Sequence, residues 1–131
     1  MTAMQSELFS FLDAPDSEKG LAAITTATDA IDLKAARLEA KESPNDPEKV
    51  ATVMAKLIAG GSERDVLVDS AKALAQRAGR DASGAQVAVI AGLMVWKMGD
   101  DPKLAEPYFR RVRRPLPADP RVLDFYRDLF Q

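Results

Sequence analysis

Apolar residues recur every three or four positions along nearly the whole chain, and no stretch alternates apolar with polar residues for long enough to predict a strand. The spacing therefore predicts an all-α protein. Its clearest helix follows Asp46 and Pro47, which fit an N-cap and a first helical position. The apolar stripe of this helix is Val50, Val53, Met54, Leu57 and Ile58. Gly60 and Gly61 end it, so we expect antiparallel helical hairpins and about six to seven helices in all.

The N-terminal part predicts two helices. SELFSFL, residues 6–12, is long enough for two turns. A longer helix is expected from a cap at Ser17 to about Lys41. Its apolar seam has heptad-like spacing, with Leu21, Ile24, Thr28, Ile31, Ala35 and Leu38. Fewer than four heptads favour a bundle helix, and a short coiled-coil dimer is the alternative.

Two helices are predicted in the middle of the chain. The first runs from about 63 to 78 and begins with a capping box of Ser62 and Asp65. The second runs from 85 to 98 and begins with a capping box of Ser83 and Gln86. One of its faces carries Val87, Ile90, Ala91, Met94, Val95 and Met98, and a second carries Val89, Leu93 and Trp96. A helix that is apolar on two sides must be covered on both, by its own chain or by another molecule.

The last two helices each begin at an Asp-Pro pair, at residues 101–102 and 119–120. The inner stripe of the first is predicted to be Leu104, Ala105, Tyr108, Phe109 and Val112. Pro107 should bend this helix or delay its start, because proline removes a backbone hydrogen bond. The stripe of the last helix is predicted to be Val122, Leu123, Phe125, Tyr126, Leu129 and Phe130.

Composition narrows the function classes. The 131 residues suit a single domain. The chain has no cysteine and no histidine, which removes disulfides, thiolate metal sites and the commonest general base. No catalytic motif is present either, so we expect no enzyme, no catalytic residue, no cofactor and no metal site. No leader or membrane span is visible, and we expect a cytoplasmic protein with no membrane partner.

Small and aromatic residues recur at repeat-like spacing within residues 85–130. Ala88, Ala91, Gly92 and Val95 are followed by Gly99 at a turn, and then by Ala105, Phe109 and Pro117. This pattern resembles a tetratricopeptide repeat. Gly92 and Ala105 are expected where two helices cross, with Phe109 filling the space beside them. Residues 46–79 resemble a degenerate hairpin of the same kind, whereas the N-terminal helices of residues 1–42 do not align.

The resemblance implies a scaffold, adaptor or assembly subunit that binds another protein as an extended segment or a helix. The binding groove would be lined by one face of the first repeat helix: Gln86, Val89, Leu93, Trp96 and Lys97. We favour coverage of this groove by the long N-terminal helix, and a bound partner or second subunit is the alternative. A homo-oligomer is a further expectation, because stacked repeats need about three units to bury a continuous core.

The stretch 99–114 carries four arginines, Arg110, Arg111, Arg113 and Arg114. If Phe109 and Val112 point inward, Arg110, Arg113 and Arg114 face water and Arg111 lies near a flank. We favour a solvated face on which Glu106 pairs with Arg110. The cluster is also a candidate site for an acidic protein partner. A nucleic-acid-associated regulator is the alternative function, but a net charge of −2 and a pI of about 5.2 argue against nucleic acid.

Overall fold

The computed structural model describes residues 3–130, and this part of the chain is helical without any strand. It contains eight α-helices and one π-helical turn. The helices are α1 (Ala3–Asp13), α2 (Glu18–Thr28), α3 (Leu33–Glu42), α4 (Pro47–Ala59), α5 (Arg64–Gln76), α6 (Ala82–Leu93), α7 (Pro102–Val112) and α8 (Pro120–Leu129). The π-helical turn, Met94–Met98, extends α6 directly. The all-α prediction is confirmed.

The predicted long helix of the N-terminal part is wrong, because the chain breaks between α2 and α3. The carboxylate of Asp32 accepts a hydrogen bond from the backbone N of Ala35 at 3.1 Å, so Asp32 caps a new helix. The hydroxyl of Thr28 instead donates to the carbonyl of Ile24 at 2.9 Å at the end of α2. This break raises the helix count from the expected six or seven to eight in the described residues.

The heptad seam also fails, both at Leu21 before this break, which retains 43% of its accessible surface, and beyond the break. Ala35 is exposed, and Leu38 retains 56% of its accessible surface. The residues that α3 buries are Ala36 and Ala40, one turn apart. A coiled-coil seam through Leu38 therefore does not form, and the favoured alternative of helices packed within a bundle describes this segment.

The core is built around α4 and α6. Helix α4 packs against α1, α2, α3, α5 and α6, and its predicted apolar stripe is buried as expected. Helix α6 packs against α4, α5 and α7. The first predicted apolar face of α6 is covered, and the second is covered at Val89 and Leu93, whereas Trp96 is half-buried. Helices α1, α2, α3 and α5 thus pack on α4, α7 packs on α6, and α8 packs on α7.

Two predicted capping boxes do not form. Glu63 occupies the N-cap of α5 without a side-chain hydrogen bond, and Asp65 accepts from its neighbour Val66 at 2.9 Å. At α6, the carboxylate of Asp81 accepts from the backbone N of Gly84 at 2.8 Å. Helix α6 consequently begins at Ala82, three residues before its predicted start, and Ser83 is exposed within its first turn.

The Asp-Pro starts of α4, α7 and α8 are confirmed by carboxylate caps at Asp46, Asp101 and Asp119. Pro107 lies inside α7, which still begins at Pro102, so the predicted delay does not occur. The predicted inner stripes of α7 and α8 include three exposed residues, Leu104, Leu123 and Phe130. Leu104 and Leu123 each lie one position from the buried row of their helix, and Phe130 follows the end of α8.

Helices α6 and α7 pack closely along their length. An ideal Cβ built on Gly92 would lie 2.8 Å from Cε2 of Phe109, and Ala105 is fully buried in the same hairpin. The predicted role of small residues at this crossing is therefore confirmed. The hairpin places the π-helical turn, and with it Trp96, beside the start of α7.

Candidate functional site

An open cleft of about 420 Å³ lies between α1 and α8, above α6. Helix α1 contributes three side chains spaced four residues apart, which share one face of the helix. Helix α6 contributes its first turns, and α8 contributes its N-terminal turn. The lining residues are Gln5, Phe9, Asp13, Gln86, Val89, Asp119, Pro120, Arg121 and Asp124.

Arg121 spans this cleft from α8 to α1. Its Nη1 lies 3.3 Å from Oδ1 of Asp13, and its Cζ lies 4.2 Å from the centre of the Phe9 ring. Arg121, Asp13 and Asp124 also line a second cavity of about 40 Å³ farther along α6. The two cavities thus adjoin at the Arg121–Asp13 bridge and Asp124, and we call them together the α6 groove.

The structure brings together the predicted groove residues in two groups. Gln86 and Val89 line the larger cavity, whereas Leu93, Trp96 and Lys97 line the smaller one. The walls differ from those expected, because α2 and α3 pack on α4 and contribute no residue to either cavity. The short helices α1 and α8 flank the groove instead, so its own chain covers it in part.

Trp96 connects the small cavity to the core. The half-buried indole meets the ring of Phe125 edge-on, with centroids 5.1 Å apart, and that of Phe109 at 6.2 Å. Phe109 and Phe125 are themselves stacked at 4.2 Å. The Nζ of Lys97 lies 4.1 Å from the centre of the Trp96 ring. This aromatic cluster attaches α8 to α6 and α7, and it fixes one wall of the groove.

Polar contacts hold α1, which forms the wall of the groove opposite α8. Gln5 retains only 3% of its accessible surface, and its Nε2 donates to Oε1 of Gln86 at 3.3 Å. The carboxylate of Glu48 accepts from the backbone N atoms of Met4 at 3.0 Å and Gln5 at 3.3 Å, which holds the N-terminus of α1 against α4. Polar groups at the larger cavity are therefore ordered before any partner binds.

The arginine cluster lies elsewhere on α7, and none of its four members lines the α6 groove. Phe109 and Val112 are fully buried, which confirms the predicted orientation of this helix. Arg111 reaches back to the carbonyl of Ala78 at 3.4 Å. Arg114 is exposed and has no partner within residues 3–130.

Arg110 and Arg113 belong to a network around Glu106. The Nε of Arg110 donates to Oε2 of Glu106 at 3.1 Å while its Nη2 donates to Oε1, and the hydroxyl of Tyr126 donates to Oε2 at 2.9 Å. The Arg110 hydrogen bond lowers the pKa of Glu106. Burial, and then the hydrogen bond to Glu106, raise the pKa of Tyr126. Arg113 lies 5.0 Å from the centre of the Tyr126 ring.

Sequence reasoning missed the walls of the groove: Phe9, Asp13, Arg121 and Asp124. The Arg121–Asp13 bridge joins residues 108 positions apart, and no local spacing reveals such a pair. The only available signal was the spacing of Gln5, Phe9 and Asp13 on one face of α1. Two of those residues are polar, so the face does not stand out as an apolar stripe.

In the part of the chain with described positions, no group of three or more carboxylates is arranged to hold a metal ion. None of the described helices has the length and apolar character needed to cross a membrane. No protein-family model, curated protein or solved structure matches this chain.

Proposed function

We propose that this chain is a non-catalytic protein-interaction module, an adaptor, scaffold or assembly subunit, which binds a peptide or helix in the α6 groove. One observation carries the proposal. The cavity of about 420 Å³ lies over Gln86 and Val89, two of the residues that the tetratricopeptide-repeat resemblance assigns to a binding groove. Its volume falls within the range of about 300–1,000 Å³ that is typical of ligand clefts.

The dimensions of the groove favour an elongated partner. From Gln86 to Lys97 its floor runs for about 16 Å, at 1.5 Å per helical residue. An extended peptide covers that distance with about five residues. Charged residues form the rim of the groove, and its floor at Val89 and Leu93 is apolar but almost covered, with 2% and 3% of the accessible surface retained. This combination suits a segment that lies along the groove and forms polar contacts at the edge.

The floor is rigid enough to present a fixed shape. Gly92 and Phe109 interlock α6 with α7, and the Phe109–Phe125 stack ties α8 to that hairpin. A groove with prearranged walls loses less conformational entropy on binding than one assembled around its partner. The same interlocking is what a tetratricopeptide-like hairpin requires, and we include such a hairpin for residues 85–130 in the proposal.

A selection from a displayed random peptide library, made on the purified chain, tests this function. Isothermal titration calorimetry of the selected peptides should compare the wild type with Asp124→Trp and Asp128→Trp. Both aspartates are exposed on α8, but only Asp124 lines the groove. We expect Asp124→Trp to weaken binding by about tenfold or more and Asp128→Trp to leave it unchanged.

The result that would overturn the proposal is equally direct. If the library yields no binder, or if every selected peptide binds Asp124→Trp as tightly as the wild type, the α6 groove is not the binding site. A thermal unfolding curve followed by circular dichroism should accompany each variant, so that a loss of affinity is attributed to the groove rather than to unfolding.

A further inference from the structure

We infer that the partner segment is basic and that Arg121 occupies the subsite of one of its cationic side chains. This inference rests on the proposed function, because it names the chemistry of the partner that the α6 groove takes. The subsite consists of the Phe9 ring face and the Asp13 carboxylate. The incoming arginine or lysine replaces the guanidinium of Arg121 there.

The geometry of the subsite supports a cationic occupant. Phe9 and Asp13 lie one turn apart on α1, so an aromatic face and a carboxylate converge on one position. The Cζ of Arg121 is 4.2 Å from the ring centre, well within cation–π range, and its Nη1 is 3.3 Å from the carboxylate. A guanidinium from another chain would find the same two contacts once Arg121 moves away.

The charges around the larger cavity also favour a positively charged partner. Asp13, Asp119 and Asp124 line it together with a single base, Arg121, which leaves a formal charge of −2. Lys97 of the smaller cavity brings the sum for the whole groove to −1. Asp124 is paired with Arg127 at 2.6 Å, which offsets its charge, so the negative charge of the larger cavity is concentrated at Asp13 and Asp119. An acidic segment would approach three carboxylates, whereas a basic one is attracted to them.

The acidic partner expected from the sequence depended on the arginines of α7. None of these arginines reaches the α6 groove, so their charge does not act on a segment bound there. Among the described residues that line the groove, the one guanidinium, that of Arg121, is already engaged by Asp13 and Phe9. The other charged residues of the larger cavity are carboxylates: Asp119 caps α8, and Asp124 is paired with Arg127.

The Arg121–Asp13 bridge is suited to exchange. The side chain of Asp13 is 65% exposed, and that of Arg121 is 25% exposed. The ion pair itself contributes little to stability because water solvates the Asp13 carboxylate well, whereas the largely buried Arg121 is held mainly by its contact with Phe9. When Arg121 leaves, the bridge at which the two cavities adjoin is broken and the groove becomes continuous. The bridge thus excludes segments that lack a cation to replace it.

A two-dimensional NMR titration of the ¹⁵N-labelled chain tests this inference. The probes are N-acetyl-arginine amide, N-acetyl-glutamate amide and N-acetyl-glutamine amide. The proteins are the wild type, Arg121→Met, Asp13→Asn and Asp16→Asn. Asp16 provides the matched control, since it forms a comparable ion pair with Arg64 at 3.1 Å but lines neither cavity.

We expect the arginine probe alone to shift the amide resonances of Phe9 and Asp13. Its affinity should rise by about fivefold in Arg121→Met, because the subsite is then vacant, and fall by about fivefold in Asp13→Asn. Asp16→Asn should behave as the wild type. If Arg121→Met does not fold, the inference is tested by the affinity of Asp13→Asn for the arginine probe compared with that of Asp16→Asn.

Two outcomes would overturn the inference. In one, the glutamate probe shifts these resonances and the arginine probe does not. In the other, the arginine probe binds wild type and Arg121→Met with equal affinity. The peptide library distinguishes this failure from failure of the proposed function. If the selected peptides are acidic or neutral and bind in the α6 groove, the proposed function stands and the basic partner is ruled out.

Discussion

The ring of Phe109 occupies the space that a side chain at residue 92 would need, since its Cε2 and Cζ lie 2.8 and 2.9 Å from an ideal Cβ on Gly92. Phe109 is fully buried and stacked on Phe125, so the ring has no free volume into which it can withdraw. This single relationship sets the distance between α6 and α7. It therefore also determines where Trp96 and α8 meet the groove.

Gly92→Ala tests that relationship through stability. Alanine within a helix usually gains up to about 1 kcal/mol over glycine, whereas overpacking a core costs about 1–3 kcal/mol. We expect the free energy of unfolding in urea to fall by about 1–2 kcal/mol. Gly20→Ala is the control, because a Cβ there meets no atom closer than 3.6 Å and should be neutral or stabilising. Equal stability of Gly92→Ala and wild type would contradict the close packing.

Trp96→Ala should loosen α8. The indole contacts Phe125 and Phe109 edge-on but is half-buried, so we expect a loss of about 2 kcal/mol, below the value of about 3–5 kcal/mol for a fully buried aromatic residue. Hydrogen exchange should accelerate at the amides of α8 and remain slow in α4. Phe125→Ala, which removes a fully buried ring, should have the larger effect. If hydrogen exchange accelerated equally at the amides of all helices, Trp96 would instead stabilise the whole fold rather than α8 alone.

Asp81→Ala should destabilise α6, because its carboxylate accepts from Gly84 at 2.8 Å. Loss of an N-cap costs about 1 kcal/mol, measurable by chemical unfolding. Ser83→Ala is the paired control and should have almost no effect, since Ser83 is exposed inside the first turn. If Ser83→Ala lowered the free energy of unfolding more than Asp81→Ala, the capping box predicted for Ser83 and Gln86 would be supported instead.

Glu106 should make stability depend on pH. The hydrogen bond from Arg110 places its folded-state pKa below the ordinary value of 4.5. The stabilisation is therefore fully present above that value and lost as the pH falls through the folded-state pKa. The stability difference between wild type and Glu106→Gln should therefore shrink as the pH is lowered from neutral through the folded-state pKa of Glu106. Glu7→Gln, on the exposed face of α1, controls for the loss of one negative charge, and a difference independent of pH would refute the assignment.

The arginine cluster allows a test of the alternative function. Arg110, Arg111 and Arg113 are engaged by Glu106, the Ala78 carbonyl and Tyr126, respectively. We therefore expect no binding of a fluorescein-labelled DNA duplex in low salt by electrophoretic mobility shift. Binding that falls steeply with salt, and is reduced by Arg113→Gln and Arg114→Gln, would establish phosphate contacts and favour a nucleic-acid regulator.

The apolar spacing was sufficient to predict the helices of the core. The stripe from Val50 to Ile58 and the two faces of α6 were readable because each extends over at least two regular turns. Apolar spacing gave the wrong result at Asp32. There the side chain caps α3 and starts a new helix, although the weak apolar seam predicted that the preceding helix continues. Apolar spacing also assigned Leu104 to the core, although burial of the next residue, Ala105, turns Leu104 outward.

The floor of the candidate site was predictable, but its walls were not. Gln86 and Val89 follow from the second face of α6, whereas the position of Arg121 depends on how α8 docks against α1. That docking is determined by the aromatic contacts of Phe125 with Trp96 and Phe109, which arise only in three dimensions. Helical periodicity describes each helix separately and carries no information on these distant pairs.

The chain contains one tryptophan, and its indole lies at the junction of α6, α8 and the small cavity. Indole emission shifts in wavelength with the polarity of its surroundings, and the nearby Lys97 ammonium makes that environment sensitive to displacement. Intrinsic fluorescence of the unlabelled protein is therefore a site-specific optical reporter. A blue shift would signal that a ligand has excluded water from the small cavity, whereas a red shift would signal that α8 has detached.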